Sequence, residues 1–284
     1  MIISINNKPA DITLNTEKTI GDVLSGLETW ISQTGNRIQR VSLDNRDLTD
    51  DALSEVFDRE IDGIKKLDIF VSSYRELAIE ALVALHDTCI FYENAAFNER
   101  EEIKADWEKC AAARFLAADI PDIHAFASKT FCGEGLSASN FVIMIEERLR
   151  ELTDPFLEIN NIETMLKNII QRLEELPLDM QTGKDLRAAE TLQIFSQMAE
   201  KLFRIMFIHK TEGVSFETKT IDSLPVHTFF DEFNSALTEL SEAYENRDTV
   251  LAGDIAEYEL APRFLKFYSF LKNTCQASPL VSIT

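Results

Sequence analysis

The 284-residue sequence is poor in glycine and proline, and it contains no long apolar run. Nine glycines and seven prolines supply few turns, which argues against an all-β fold built from many short strands. No apolar run approaches the roughly 18 residues that a membrane-spanning helix needs, so we expect no such helix. The start of the chain also lacks the basic region of a cleavable signal, and we therefore expect a cytoplasmic protein.

Cysteine is also scarce, and the four cysteines include no Cys-x-x-Cys pair. Three of them lie in helical apolar patterns, where free cysteine usually behaves as a small buried hydrophobe. Cys132, beside Gly133, is the one that we expect to be exposed. We expect no basic residue other than Lys129 to lie close enough to lower its pKa, and we therefore expect this thiol to be unreactive.

Basic residues are outnumbered by acidic ones, with 28 Lys and Arg against 49 Asp and Glu and a formal net charge of −21. Proteins that bind nucleic acids or anionic membranes need a basic patch to displace counterions. The charge therefore argues against both kinds of partner. It fits a basic protein partner, or a surface built mainly for solubility.

The first 73 residues follow the spacing of a small α+β module. Thr19 is placed to cap a helix, and Gly35 is expected to adopt the left-handed conformation after its end. A polar turn at residues 6–10 separates the first two strands. The predicted elements are strands at 2–5, 12–14, 37–43 and 67–71, and helices at 20–32 and about 53–57.

This order of strands and helices resembles the ubiquitin-like β-grasp fold over residues 1–73. The resemblance implies a protein-binding or docking module. It does not imply conjugation, because ubiquitin-type modifiers end in a free Gly-Gly, whereas this module continues through Ser72-Ser73 into a helix.

Helical spacing dominates from Tyr74 onward, including one apolar stripe from Ile103 to Ala117. Asp154-Pro155 predicts either a kink or a helix restart with Asp154 as N-cap. The predicted fold class is α+β: a β-grasp domain (1–73), connecting helices (74–136), an antiparallel four-helix-type bundle (137–276) and a flexible tail (277–284). The segment Gly253–Pro262 resembles helical domains of an uncharacterised bacterial family.

The strongest candidate site is an aspartate on an apolar helix stripe. Leu251, Asp254, Tyr258, Ala261 and Leu265 follow the three- and four-residue spacing of one face, and a carboxylate there needs a partner. We predict a buried ion network of Asp254, Glu257, Tyr258, Arg247 and Arg204.

The alternative is a metal or acid/base site at Asp254 and Glu257. Carboxylate-bridged metal bundles use Glu-x-x-His pairs, and no histidine of this chain follows an acidic residue at that spacing. No nucleophile elbow is present either. We therefore assign no catalytic, cofactor or metal-binding residue.

These features predict a non-enzymatic protein-interaction module of adaptor, regulatory or chaperone-like type. It would bind a protein partner, for which a basic protein is a candidate, through the β-grasp domain and the bundle surface. Two alternatives stay open: an enzyme or a small-ligand or metal binder that uses Asp254 and Glu257, and a structural subunit of an oligomer.

Overall fold

The computed structural model describes residues 1–14 and 16–277, with the backbone alone at residues 50 and 51. An N-terminal sheet is followed by helices, which confirms the predicted α+β fold class. The predicted tail at residues 277–284 lies almost wholly outside the described residues.

The chain divides into two compact units. The first comprises Met1–Ile145 with Thr211–Gly213, and the second comprises Glu146–Lys210 with Val214–Thr284. Each unit has its own buried apolar core. Within the described ranges, no helix has both the length and the apolar content required to cross a bilayer.

The first unit begins with a five-stranded mixed sheet and two helices. Their bounds are β1 (Ile2–Ile5), β2 (Lys8–Pro9), α1 (Ile20–Ser32), β3 (Asn36–Leu43), β4 (Arg46–Asp47), α2 (Asp50–Val56) and β5 (Lys66–Ser73). The strand order is β2-β1-β5-β3-β4, with β1 parallel to β5 and the other neighbours antiparallel. The short strand β4 was not expected. A turn in which Asp44 and Asn45 both have positive φ connects it to β3.

The second strand lies earlier than expected, and the prediction of a strand at 12–14 is wrong. Asn6 and Asn7 have φ values of 48° and 64°, which is typical of a two-residue hairpin turn. Pairing therefore resumes at once, with Ile5 opposite Lys8 and Ser4 opposite Pro9. Beyond Pro9 the chain leaves the sheet, and residues 10–14 form a segment without regular secondary structure.

Helix α1 covers one face of the sheet and begins as predicted. Thr19 and Asp22 form a capping box, in which each side chain accepts a hydrogen bond from the other residue's backbone N–H. Gly35 has a φ of 76° after the end of the helix, which confirms its expected conformation. The core between α1 and the sheet contains Ile3, Ile20, Val23, Leu24, Leu27, Ile31, Val41, Leu43, Ile64, Leu67 and Ile69.

The remaining helices of the first unit are α3 (Tyr74–Asn94), α4 (Phe97–Lys109), α5 (Ala111–Asp119), α6 (Pro121–Phe131) and the start of α7 (Ala138–Thr153). The expected stripe from Ile103 to Ala117 is divided between two helices. Cys110 has an extended backbone at the break, and its Sγ accepts a hydrogen bond from the Ala113 N–H.

The second unit contains the end of α7, α8 (Pro155–Asn161), α9 (Glu163–Glu174), α10 (Leu176–Gln181), α11 (Asp185–Thr211), β6 (Thr220–Ile221), β7 (Leu224–Pro225), α12 (Val226–Glu245), α13 (Thr249–Asp254), a π-helical turn (Ile255–Leu260) and α14 (Ala261–Ala277). The helix restarts at Asp154-Pro155, one of the two outcomes that the sequence allows. Asp154 accepts a hydrogen bond from the Leu157 N–H, and Pro155 is the first helical residue.

The core of the second unit is rich in phenylalanine. Phe195 contacts Phe264 with ring centroids 4.9 Å apart, and Phe203 contacts Phe230 and Phe267 at 5.2 and 4.9 Å. Such ring pairs stabilise a core beyond the area that they bury. These contacts join α11, α12 and α14 through aromatic side chains in the core of the unit.

Candidate functional site

Most of the predicted apolar stripe that contains Asp254 faces outward, and only its member Ala261 is buried. Leu251 and Asp254 are exposed, and Tyr258 is 64% exposed. The buried stripe lies one residue further along and includes Ala252, Ile255, Ala256, Leu260 and Phe264. Two apolar stripes share this helix and packing buries the one that lacks Asp254, so the prediction that Asp254 is buried is wrong.

The structure does not bring the five predicted residues into one network. Arg204 instead binds Glu151, at 2.8 Å from Nε and 2.6 Å from an Nη nitrogen. Arg247 is exposed in the turn before α13, with a φ of 57°. Glu257 accepts a hydrogen bond from its neighbour Tyr258 and so raises the pKa of that phenol.

Asp254 and Tyr258 line an open polar groove of about 470 Å³ between α12 and the π-helical turn. Arg263 also lines it and forms ion pairs with Glu259 and, at 3.3 Å, with Glu232. No group of three or more His, Cys, Asp or Glu residues within the described ranges is arranged to hold a metal ion.

A buried ion network is present at a different place, between α7, α8 and α11. The Lys201 ammonium lies 2.7 Å from Glu158, 3.0 Å from Glu147 and 3.7 Å from Glu151. Arg204 donates two hydrogen bonds to the carboxylate of Glu151 and so joins the same cluster. These charges are mutually paired, which is typical of a structural network.

Burial and pairing act in opposite directions on the ionisable groups of this network. Burial is the main effect on Glu151 and raises its pKa to about 8, even though the positive charges of Arg148 and Lys201 oppose this rise. Burial lowers the pKa of Lys201, but its hydrogen bonds to Glu158 and Glu147 outweigh this effect and raise it. Lys201 is therefore held in its charged form.

The surroundings of Cys132 also differ from the expectation. Cys132 is exposed, as predicted. Helix α4 brings the Lys104 Nζ to 3.3 Å from its Sγ, and this hydrogen bond raises the pKa of Lys104. The prediction that only Lys129 would be near this thiol is wrong, because the contact joins residues that are distant in sequence.

The first unit contains a groove of about 540 Å³ beside α1 that we call the α1 groove. Its walls are the irregular segment 10–14 and the outer side of α1, and Val23 and Leu27 contribute its apolar floor. Gly26 and Trp30 line the helical side. This volume is in the usual range of roughly 300–1,000 Å³ for ligand sites.

The hairpin turn positions segment 10–14, and backbone–backbone hydrogen bonds to other described residues involve only part of this segment. The Ala10 N–H donates to the Ile3 carbonyl at 2.9 Å, and the Ile12 N–H donates to the Ala10 carbonyl at 3.1 Å. Asp11, Thr13 and Leu14 make no backbone–backbone hydrogen bond to another described residue. Backbone N–H and C=O groups of this kind are those that strand addition uses.

Gly26 and Trp30 lie one helical turn apart on the outer side of α1. Apart from its chain neighbours and the nearby backbone of α1, no heavy atom of the described residues lies within 4 Å of the position that a Cβ of Gly26 would occupy. Trp30 is 54% exposed. Glycine in a helix costs about 0.5–1 kcal/mol relative to alanine, and packing among the described residues does not require it here.

Acidic groups surround the α1 groove. Asp11 and Glu17 line it, and α1 itself carries Asp22 and Glu28 but no Lys or Arg. Backbone hydrogen bonds from Lys18 and Thr19 lower the pKa of Asp22. The groove is therefore apolar at its centre and negatively charged at its edges.

Residues 1–73 match the family model described as TP0873 N-terminal domain, and residues 158–270 match the Domain of unknown function (DUF8042). An uncharacterized protein of Treponema pallidum (strain Nichols) is 29% identical over 104 residues, which are 37% of this chain and 52% of that protein. The chain thus spans about half the length of this curated relative. No solved structure matches the chain. These similarities fit an uncharacterised bacterial family in which an N-terminal sheet domain is followed by helices.

Proposed function

We propose that this chain is a non-enzymatic protein-interaction module that binds an extended peptide of another protein in the α1 groove. The observation that carries the proposal is the open space beside Gly26, next to the exposed ring of Trp30. Tryptophan is enriched among the residues that dominate binding energy. A helical glycine allows a peptide to approach the helix backbone closely.

The groove favours an extended peptide over a helix. Asp11, Thr13 and Leu14 have backbone groups with no described backbone partner, and strand addition uses such groups for affinity. The apolar side chains of Ile12 and Leu27 line the groove and would hold an apolar anchor. Asp11 and Glu17 at its edge favour a Lys or Arg beside that anchor.

The sheet topology supports the proposal that residues 1–73 are a ubiquitin-like docking domain. A parallel pair of β1 and β5 at the centre of a mixed sheet that α1 covers is the arrangement that the β-grasp resemblance implies. The net charge of −21 supports a basic protein partner over nucleic acid. We propose the cytoplasm as its location, which the four free cysteines also support.

Selection of random displayed peptides of about 12 residues on the full chain tests this proposal. We expect the selected peptides to combine an apolar residue with a nearby Lys or Arg. Fluorescence anisotropy then measures the affinity of one selected peptide for the chain and its variants. Trp30→Ala should weaken binding by about tenfold or more.

Two further variants separate binding from folding. Gly26→Ala should stabilise the fold by about 0.5–1 kcal/mol and yet weaken binding, because its methyl group occupies the open space. Phe97→Ala removes an aromatic ring that is 87% exposed elsewhere in the same unit and should leave affinity unchanged. Unchanged binding by both Trp30→Ala and Gly26→Ala would exclude the α1 groove.

A further inference from the structure

The second unit has a groove between α11 and α12 that the proposed function does not use, and we call it the α11–α12 groove. We infer that it receives an amphipathic helix of another protein, with Lys or Arg residues along the edges of its apolar face. This surface and this occupant differ from the α1 groove and its extended peptide.

The α11–α12 groove has the shape of a helix-binding site. Its volume is about 380 Å³, and α11 lines it from Leu192 to Phe203, a length of about 16 Å. Leu237, Leu240 and Tyr244 line it from α12 at helical spacing. A bound helix commonly places anchors at i, i+3 or i+4, and i+7 along such a groove.

Small side chains leave room for a helix to approach. Ser196 and Ala199 line the groove on α11, and Ser241 lines it on α12. Beneath them, the rings of Phe195 and Phe203 pack against Phe233 with centroids 6.4 Å apart in each pair. The groove is therefore already formed before binding, which reduces the entropy that a partner must overcome.

The charges beside the α11–α12 groove are acidic. Glu200 and Glu245 are its charged lining residues. Helix α12 contains no Lys or Arg, and its acidic residues are Asp231, Glu232, Glu239, Glu242 and Glu245. A helix with Lys or Arg on both edges would complement this surface and associate faster for that reason.

The same charge argues against the other candidate occupants. A second copy of this chain would bring an equally acidic α12 against the first. The C-terminal residues 278–284, with the sequence Ser-Pro-Leu-Val-Ser-Ile-Thr, contain no basic side chain. Complementarity therefore selects a basic helix from a different protein.

The probe is a labelled synthetic helix of about 18 residues, with leucine at i, i+3, i+4 and i+7 spacing and lysine on both edges. Two control peptides replace lysine with glutamate, or place a proline at the centre of the helix. Fluorescence anisotropy on the full chain should show binding of the lysine peptide at least about tenfold tighter than either control. Its affinity should fall as salt rises.

Variants of the chain locate the binding. Ser241→Trp fills the groove, and Tyr244→Ala removes a ring that is 42% exposed; each should weaken binding about tenfold without changing the melting temperature. Combined Glu200→Lys and Glu245→Lys should weaken binding and reduce its salt dependence. Glu239→Lys makes the same charge change on α12 outside this groove and should have little effect.

Trp30→Ala should leave binding of the helix probe unchanged, which separates binding in the α11–α12 groove from binding in the α1 groove. Equal binding of the lysine and glutamate peptides, or full binding by Ser241→Trp, would overturn the inference. Binding by a chain ended at residue 277 but not by the full chain would show that residues 278–284 occupy the groove, and would also overturn it.

Discussion

The ammonium of Lys201 lies 2.7 Å from the carboxylate of Glu158, and 9% and 7% of the two side chains are exposed. The pair joins α11 to α8, 43 residues apart in the sequence. A buried ion pair of this kind adds little net stability compared with apolar residues of similar volume, but removal of one partner leaves an isolated buried charge.

Lys201→Met should therefore lower the free energy of unfolding by about 3–5 kcal/mol, as measured by urea denaturation. Lys167→Met is the matched control, because Lys167 is two-thirds exposed and pairs with Glu163 on the same helix; it should cost less than about 1 kcal/mol. The double variant Lys201→Met with Glu158→Leu should recover part of the loss. Equal losses for Lys201→Met and Lys167→Met would contradict the structural role of the network.

Glu163 gives the second unit a measurable acid dependence. Hydrogen bonds from Lys167 and Lys272 lower the pKa of its carboxyl from 4.5 to about 2. The Glu163 carboxyl therefore binds a proton less readily in the folded state than in the unfolded state. The hydrogen bonds to its charged form stabilise the fold above pH 4.5, and this stabilisation is lost as pH falls toward 2. NMR titration of the Glu163 carboxyl carbon should give a midpoint near 2, and Lys272→Met should move it upward.

Asp254→Asn should change the free energy of unfolding by no more than about 0.5 kcal/mol, because Asp254 is exposed. Asp179→Asn is the comparison. Asp179 is fully buried and accepts hydrogen bonds from Arg187 at 2.9 Å and Lys184 at 3.3 Å, so this change should cost about 1–3 kcal/mol. Thermal melts of both variants test the difference, and a large loss for Asp254→Asn would restore a structural role for that carboxylate.

Residues 1–73 should fold without the rest of the chain. The buried residues that form the core between α1 and the sheet lie between Ile3 and Ile69. The isolated fragment should give a mixed α/β circular dichroism spectrum and a cooperative melt. Its free energy of unfolding should be small, because a domain of this size buries a smaller fraction of its surface than a large domain does. A fragment that is unfolded would mean that it depends on the helices after Ser73.

Some residues that line the α1 groove and the α11–α12 groove can be placed from the sequence, and others cannot. The helical position of Gly26 and Trp30, four residues apart, can be read from the pattern of α1. The wall opposite them cannot, because the sequence predicts a strand at 12–14 where the chain instead leaves the sheet after Pro9. The acidic edge of α12 is visible in the sequence, but the groove against α11 depends on the packing of Phe203 and Phe233.

The sequence alone determined the features that depend on neighbouring residues. The capping box of Thr19 and the left-handed Gly35 follow from local hydrogen bonds and allowed backbone angles. At Asp154-Pro155 the sequence allows a kink or a restart, and the structure has the restart. Tertiary structure alone decided which of two adjacent stripes around Asp254 is buried, since both have helical spacing and only packing selects one. It also decided the partners of Lys201 and Arg204. Lys201 pairs with residues 43 and 54 positions away in the sequence, and Arg204 pairs with a residue 53 positions away, where spacing carries no information.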